Sequence, residues 1–171
     1  MLNVTYKEEP ITLSGEQLSV GDPAPEFTVL DNKMNPVTLS DFEGKIKLIS
    51  VVPSIDTGVC DSQTRRFNED ANRLDNVKVL TISMDLPFAQ KRWGGNSGIN
   101  NVITLSDHKD ASFGRAYGVL IEEMRLLTRA IFVVDTEDEL YYVEYVEEAT
   151  KHPDYEKAIQ TAESLSEERG S

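Results

Sequence analysis

A strongly apolar run at residues 46–52, which ends at Pro53, is the feature that most constrains how this 171-residue chain can fold. Such a run predicts a central β-strand that is buried on both faces of a sheet. Pro53 ends the strand because proline has no backbone N–H to donate to a neighbouring strand. Apolar residues then recur at spacings of three and four over 60–74, which predicts an amphipathic helix. We therefore expect a layered fold in which helices cover a sheet.

Strands and helices alternate along the rest of the chain. Further strands are predicted at 4–7, 11–13, 27–30, 77–84, 102–105, 126–135 and 140–146, with a hairpin at each end of that series. Further helices are predicted at 87–93, 111–117 and 154–168, the first of them closed by two glycines. This order predicts an α/β fold with a central mixed sheet, helices on both faces and an N-terminal β-hairpin. No linker, internal repeat or low-complexity tract interrupts it, so one domain over 1–171 is expected.

Charge and composition limit the partners that the chain can bind. The net charge is −13, which argues against nucleic acid or an anionic membrane surface, because both need clustered Lys and Arg. No apolar run approaches the length of a membrane span, and the N-terminal residues lack the basic and apolar regions of a secretory signal. A single cysteine fits a reducing compartment, so a cytoplasmic location is predicted.

Cys60 is the only cysteine of the chain, so no intramolecular disulfide can form. A free cysteine is most often a small buried hydrophobic residue. The position of this one favours a nucleophile instead. Asp56 or Thr57 is a good N-cap, which places Cys60 in the first helical turn, where backbone N–H groups and the helix dipole stabilise an anion. Thr57 precedes Cys60 by three residues, so its hydroxyl can point toward the sulfur.

A thiolate in so acidic a chain needs a cation nearby, and Asp61 beside the sulfur works against ionisation. Arg65 and Arg66 lie on the same predicted helix. Arg129 is the more informative candidate, because it interrupts an apolar strand, and an arginine in such a run is almost never buried unpaired. Two interpretations remain open for Arg129: a salt bridge to some carboxylate, or a guanidinium that faces Cys60 and its substrate.

The pattern Pro53-x-x-x-Thr57-x-x-Cys60 resembles the active-site signature of the peroxiredoxins. The longer strings are similar to the bacterial thiol peroxidase subfamily and extend over nearly the whole chain: SVVPSIDTGVCDSQTRRFN, TISMDLPFAQKRW, NVITLSDH, SFGRAYGV and LLTRAIFVVD. The resemblance implies a thioredoxin-like fold with an N-terminal hairpin, usually assembled as a homodimer. It also implies reduction of hydroperoxides, often alkyl hydroperoxides, with thioredoxin as the reductant.

The resemblance assigns a role to each residue of the motif. Cys60 corresponds to the peroxidatic nucleophile, which attacks the peroxide and becomes a sulfenic acid. Thr57 corresponds to the hydrogen-bond partner of the thiolate and the peroxide, and Arg129 to the cation that stabilises both. Pro53 corresponds to the residue that shields the sulfur. This chemistry requires no metal, flavin or haem.

The chain departs from the subfamily at Gly94. The usual member is an atypical two-cysteine enzyme whose resolving cysteine directly follows the aromatic residue that matches Trp93, and glycine stands there in this chain. A naturally single-cysteine variant and an engineered change both explain the glycine. We favour the natural variant, since serine or alanine is the customary engineered replacement. Either way, an external thiol, thioredoxin or a small thiol, must resolve the oxidised Cys60.

Two other functions fit a reactive cysteine. The first is a redox sensor or thiol-relay binding protein on the same fold, which passes oxidation to a partner with little turnover. The second is a cysteine hydrolase, which needs a histidine beside Cys60. His108 and His152 are the only histidines, neither has an orienting motif, and surface positions are predicted for both. One cysteine and two isolated histidines also lack the spacing of a zinc site.

Overall fold

The computed structural model describes residues 3–56, 58–71, 74, 76–97 and 102–169. Its strands, in chain order, are β1 (Val4–Tyr6), β2 (Glu9–Ile11), β3 (Leu13–Ser14), β4 (Thr28–Leu30), β5 (Pro36–Thr38), β6 (Ile46–Val51), β7 (Val77–Ser83), β8 (Val102–Ser106), β9 (Leu120–Ile121), β10 (Leu126–Leu127), β11 (Ala130–Val134) and β12 (Leu140–Tyr145). Its helices are α1 (Gly58–Ala71), α2 (Pro87–Ser97), α3 (Ser112–Ala116), α4 (Tyr155–Arg169) and a 3₁₀ helix at Leu39–Phe42. None of the described helices is both long and apolar enough to cross a membrane.

Seven strands form the main sheet, in the order β12-β11-β6-β7-β8-β4-β5. Strands β6, β7 and β8 are parallel, whereas β11 runs antiparallel to both β6 and β12. The predicted mixed sheet is therefore confirmed, with the predicted apolar strand β6 near its centre. Because β11 is antiparallel to β6, the beginning of β11 lies beside the end of β6, and Ala130 pairs with Val51.

Side chains of β6 alternate between two apolar layers. Ile46 and Leu48 pack in a cluster that includes Phe67 of α1 and apolar residues of α4. Ile49 and Val51 point to the opposite face and pack in a larger cluster around α3. This period of two lets one strand contribute to both layers, so β6 is covered on both faces, as its composition predicts.

The predicted N-terminal hairpin is confirmed, but its turn lies earlier than predicted. Strands β1 and β2 pair antiparallel with Tyr6 opposite Glu9, so Lys7 and Glu8 form a two-residue turn and Pro10 lies within β2. Lys7 and Glu8 have φ of 50° and 70°, the left-handed values that such a turn requires. Left-handed backbone costs about 1–2 kcal/mol for each non-glycine residue, so other contacts must hold this turn.

Two other predicted elements differ from the structure. The strand predicted at 126–135 is two strands: β10 pairs with β9 in a separate three-stranded sheet that includes β3, and β11 joins the main sheet. Helix α2 does not end before Gly94 but continues through both glycines to Ser97. Glycine weakens a helix interior by about 1 kcal/mol relative to alanine. Tertiary contacts outweigh that cost, since α2 packs on β8 and Gln90 donates to the Leu105 carbonyl at 2.8 Å.

A buried carboxylate after β8 holds the start of α3. Asp107 is 2% exposed and accepts hydrogen bonds from the backbone N–H groups of Phe113 and Gly114, at 3.0 and 2.8 Å. Burial raises the pKa of Asp107 from its ordinary value of 3.8 to about 6, and the two hydrogen bonds only partly oppose the effect of burial. The carboxylate is therefore ionised at neutral pH at some cost to stability.

We predict that Asp107 makes the protein less stable at neutral pH than at mildly acidic pH. Because its native pKa lies above that of the unfolded chain, the native state takes up the proton first as the pH falls. From about pH 7.5 to about pH 5, the free energy of unfolding of the wild type should rise by about 1–2 kcal/mol relative to Asp107→Asn, measured by urea unfolding. A pH-independent difference between the two proteins would contradict this.

Candidate active site

The segment between β6 and α1 carries the motif residues to one edge of the main sheet. Pro53 is buried two residues after the end of β6, and Cys60 is the third residue of α1, with no exposed surface. The predicted helix start before Cys60 is therefore present. Thr57 lies outside the described residues, so its predicted cap and its predicted contact with the sulfur stay predictions.

Asp85 fixes the loop that leads to Cys60. Its carboxylate accepts hydrogen bonds from the Ser54 hydroxyl and from the backbone N–H of Ile55, both at 2.9 Å. The Ser83 hydroxyl donates to the same carboxylate at 2.6 Å. Asp85 follows β7, the parallel neighbour of β6, so the ends of the two strands meet at the same edge of the sheet. No role was predicted for Asp85, although its position directly after a predicted buried strand was a usable signal.

Arg129 lies beside Cys60. Its Nη2 donates to the Cys60 Sγ at 3.1 Å, its Nη1 donates to Gln63 Oε1 at 2.9 Å, and its Nε donates to the Ala149 carbonyl at 2.8 Å. Arg129 is 2% exposed, so these contacts are made away from solvent. The sequence predicts Arg129 inside a strand, and this prediction is wrong. Arg129 lies directly before β11, whose first residue pairs with the last residue of β6.

The two interpretations of Arg129 can now be compared. Among the described residues, the ion pairs are Lys47–Asp138, Arg65–Asp61 and Arg66–Asp70, and Arg129 takes part in none of them. The salt-bridge interpretation therefore has no support within the described part of the chain, and the sulfur of Cys60 is the acidic group to which Arg129 donates.

Gln63 and Ser50 complete this network, and no role was predicted for either of them. Gln63 is fully buried, and its Nε2 donates to the Ser50 hydroxyl at 2.7 Å. That bond leaves the amide oxygen of Gln63 free to accept from Arg129. The signal was present in the sequence, because Gln63 lies three residues after Cys60 and four before Phe67. It is therefore a polar residue on the face of α1 that is otherwise apolar.

Asp61 is paired rather than directed at the sulfur. Its Oδ2 accepts from Arg65 Nε at 2.8 Å, and its Oδ1 accepts from Trp93 Nε1 at 3.0 Å. The Trp93 ring also packs against the cluster of Val52, Ile55 and Cys60. Asp61 thus joins the start of α1 to α2. Gly94 follows Trp93 inside α2, and a Cβ built at Gly94 would have no neighbouring atom within 4 Å among the described residues.

A cavity of about 380 Å³ opens beside this network. It is lined by Tyr6, Lys7, Pro53, Gly58, Val59, Arg129, Ala149 and Thr150. Arg129 lines the cavity and also donates to Cys60, so the guanidinium connects the cavity with the sulfur. The arrangement provides a buried thiol, a cation and a space for a substrate within one site.

The histidines form no part of this arrangement. His152 is exposed and its Nδ1 lies 2.7 Å from the Tyr155 hydroxyl, whereas His108 is half-buried, not at the surface as predicted. Among the described residues, no cluster of three or more His, Cys, Asp or Glu side chains is placed to hold a metal ion.

Comparison with known proteins places this chain in a family. The family model for redoxins matches residues 19–159. The thiol peroxidase of Halalkalibacterium halodurans is 63% identical over 164 residues, which cover 96% of this chain and 99% of that protein.

Solved structures similar to this chain include a peroxiredoxin-like protein and a thiol peroxidase. A peroxiredoxin-like protein from Aquifex aeolicus superposes with a TM-score of 0.90 at 37% identity and covers 96% of this chain and 98% of its own. The thiol peroxidase from Chromobacterium violaceum superposes with a TM-score of 0.85 at 25% identity and covers 95% and 98%. Three observations point to the same family: the thiol beside a buried guanidinium, the thioredoxin-like sheet and the extent of these matches. The chain belongs to the redoxin family and, within it, to the bacterial thiol peroxidases.

Proposed function

We propose that this chain is a thiol-dependent peroxidase that reduces hydrogen peroxide and alkyl hydroperoxides through Cys60. The observation that carries the proposal is the 3.1 Å contact between Arg129 Nη2 and the Cys60 Sγ, made by a guanidinium that is 2% exposed. A buried cation is strongly stabilised by an anion next to it. The Cys60 thiolate is that anion, and a thiolate is the form of cysteine that attacks a peroxide.

The first half-reaction oxidises the sulfur. The thiolate attacks the terminal oxygen of the hydroperoxide, the O–O bond breaks as the S–O bond forms, and Cys60 becomes a sulfenic acid. The leaving alkoxide or hydroxide takes up a proton and departs as an alcohol or water. The sulfur supplies both electrons, so the step requires no bound metal or cofactor.

Three residues assist this attack in the proposal. Arg129 keeps the sulfur ionised and stabilises the negative charge that develops along the breaking O–O bond, because it lines the cavity and donates to the sulfur. Pro53 forms part of the cavity wall and shields the sulfur from water. Thr57 forms hydrogen bonds with the thiolate and with the peroxide, as the resemblance implies. Gln63 and Ala149 act through Arg129, since they hold its other two nitrogens.

The second half-reaction needs another molecule because the chain has a single cysteine. An external thiol, thioredoxin or a small thiol, attacks the sulfenic sulfur and releases water, and a mixed disulfide forms. A second thiol then releases Cys60 as a thiol and leaves as the disulfide. Cys60 has no exposed surface, so the start of α1 must open before the external thiol can reach it. The homodimer that the resemblance implies and the cytoplasmic location that we predict from sequence remain proposals.

Oxidation with one equivalent of peroxide tests this function. The reduced protein is mixed with cumene hydroperoxide or hydrogen peroxide, Cys60 is followed by mass spectrometry, and thioredoxin or a small thiol is then added. Rapid sulfenylation with repeated recycling is the expected result. Rapid oxidation without recycling would identify a redox sensor or thiol relay instead, and a Cys60 that stays a thiol would reject the peroxidase.

We predict that Arg129→Ala slows oxidation of Cys60 by hydrogen peroxide by roughly 100-fold or more, because it removes the donor that stabilises the transition state. Stopped-flow measurement of a single oxidation, on protein shown to be folded by circular dichroism, checks this. The matched control is Arg115→Ala, which removes an arginine that donates to the Asp110 carbonyl. The control should stay within about twofold of the wild type. Equal rates for Arg129→Ala and wild type would show that Arg129 does not assist the oxidation of Cys60.

We also predict that Gly94→Cys restores internal resolution. The position is sterically open and adjoins Trp93, which packs against the cluster of Val52, Ile55 and Cys60. After one equivalent of peroxide, mass spectrometry should find a disulfide between Cys60 and the new cysteine, which thioredoxin then reduces. Gly94→Ser is the control and should retain the sulfenic acid. If the cysteine variant behaves like the serine variant, Gly94 does not correspond to the resolving position.

A further inference from the structure

The β1–β2 hairpin forms one wall of the cavity beside Arg129. Tyr6 and Lys7 line this wall, and the walls around it include the apolar side chains of Pro53, Val59 and Ala149. Tyr6 lies on the same face of β1 as Val4, which is buried, so this face of the hairpin is turned toward the body of the protein. Among the residues that the structure describes, Tyr6 of the hairpin is the aromatic side chain that lines this cavity.

The cavity is larger than hydrogen peroxide requires. Its volume is about 380 Å³. One water molecule occupies about 30 Å³ in the liquid, and hydrogen peroxide has only one heavy atom more than water. The remaining space can hold an organic group, and the apolar side chains around it favour one by burying its surface.

Glu148 holds the strained turn of this hairpin. Its carboxylate accepts hydrogen bonds from the backbone N–H groups of Lys7 and Glu8, at 3.3 and 2.7 Å, and from the Thr5 hydroxyl at 2.8 Å. Lys7 and Glu8 are the two residues with left-handed backbone. Neither is a glycine, so the turn does not hold itself, and a carboxylate that binds both N–H groups supplies the missing constraint.

The segment that contains Glu148 also reaches Arg129. Backbone hydrogen bonds join Thr5 to Glu147 and Ala149, both at 2.8 Å, and the Ala149 carbonyl accepts from Arg129 Nε at 2.8 Å. Burial alone would raise the pKa of Glu148, but hydrogen bonds from Thr150, Glu8 and Thr5 outweigh it and lower the pKa to about 2. Glu148 therefore stays ionised at every pH at which the protein would be assayed.

We propose that the β1–β2 hairpin is the wall that selects organic hydroperoxides over hydrogen peroxide, and that Glu148 is the positioning residue that holds this wall beside Arg129. The proposal rests on the peroxidase function above. It assigns substrate selection to the ring of Tyr6, which does not contribute to the attack on the peroxide bond.

The first test measures selectivity in Tyr6→Ala. The readout is the rate constant for a single oxidation of Cys60 by cumene hydroperoxide, divided by the rate constant for hydrogen peroxide. This ratio does not depend on the reductant or on the fraction of active protein. Removing the ring should lower the ratio by about fivefold to tenfold, because a lost apolar contact penalises only the organic substrate. Tyr6→Phe keeps the ring and should keep the ratio of the wild type.

The second test separates the role of Glu148 from a general loss of stability. Glu148→Gln should lower the same ratio by about threefold, since the neutral amide holds the turn less firmly. Adding Glu8→Gly should recover most of that loss, because glycine adopts the left-handed backbone without strain. Glu123→Gln is the matched control, since Glu123 also accepts a backbone hydrogen bond, from Thr12 at 2.9 Å, and does not line the cavity.

These tests separate failure of the hairpin proposal from failure of the peroxidase function. If wild-type Cys60 is not oxidised by either peroxide, the proposed function fails. If Cys60 is oxidised but Tyr6→Ala slows both peroxides equally or neither, the hairpin does not select the substrate. If Glu148→Gln changes the ratio no more than Glu123→Gln does, or Glu8→Gly gives no recovery, Glu148 does not position the hairpin.

Discussion

A guanidinium that is almost fully buried must find its hydrogen-bond partners inside the protein, and at Arg129 this requirement joins three separate segments. Its nitrogens bind the Ala149 carbonyl, the amide of Gln63 and the sulfur of Cys60. An unpaired buried charge costs several kcal/mol, so each of the three segments adds to the stability of the fold by holding part of the guanidinium. The geometry that stabilises the arginine is also the geometry that places a cation beside the thiol.

Lys47, at the other end of β6, shows a different solution to the same problem. It is fully buried, and its Nζ donates to the Asp135 carbonyl at 3.1 Å and to the Asp138 carboxylate at 2.6 Å. A carboxylate of the chain itself neutralises Lys47, so no charge remains for a ligand. At Arg129 the acidic partner is a thiol, whose charge and oxidation state can change. Lys47 therefore serves the structure alone, whereas Arg129 lies beside a group that can react.

The site divides into a rigid part and a part that must move. Asp85, Gln63 and Arg129 hold the surroundings of Cys60 through buried or half-buried hydrogen bonds. The sulfur itself has no exposed surface, yet the chain has no second cysteine to reduce it. In the proposed cycle, the peroxide enters through the cavity that Arg129 lines, and reduction requires α1 to open toward a partner thiol. Such an opening would disturb Trp93, which packs against the cluster of Val52, Ile55 and Cys60 and donates to Asp61.

The sequence by itself determined the elements that local patterns encode: the central strand β6, the helix that begins just before Cys60, the N-terminal hairpin and, by simple counting, the lack of an internal disulfide. It also identified Arg129 as an arginine that needs a partner. Only the tertiary structure decided which partner, because Arg129 and Cys60 are 69 residues apart in the chain and meet where antiparallel β11 begins beside the end of β6. Periodicity shows which face of an element is buried but not which strands are neighbours, and the same limit concealed the contacts of Gln63 and Glu148.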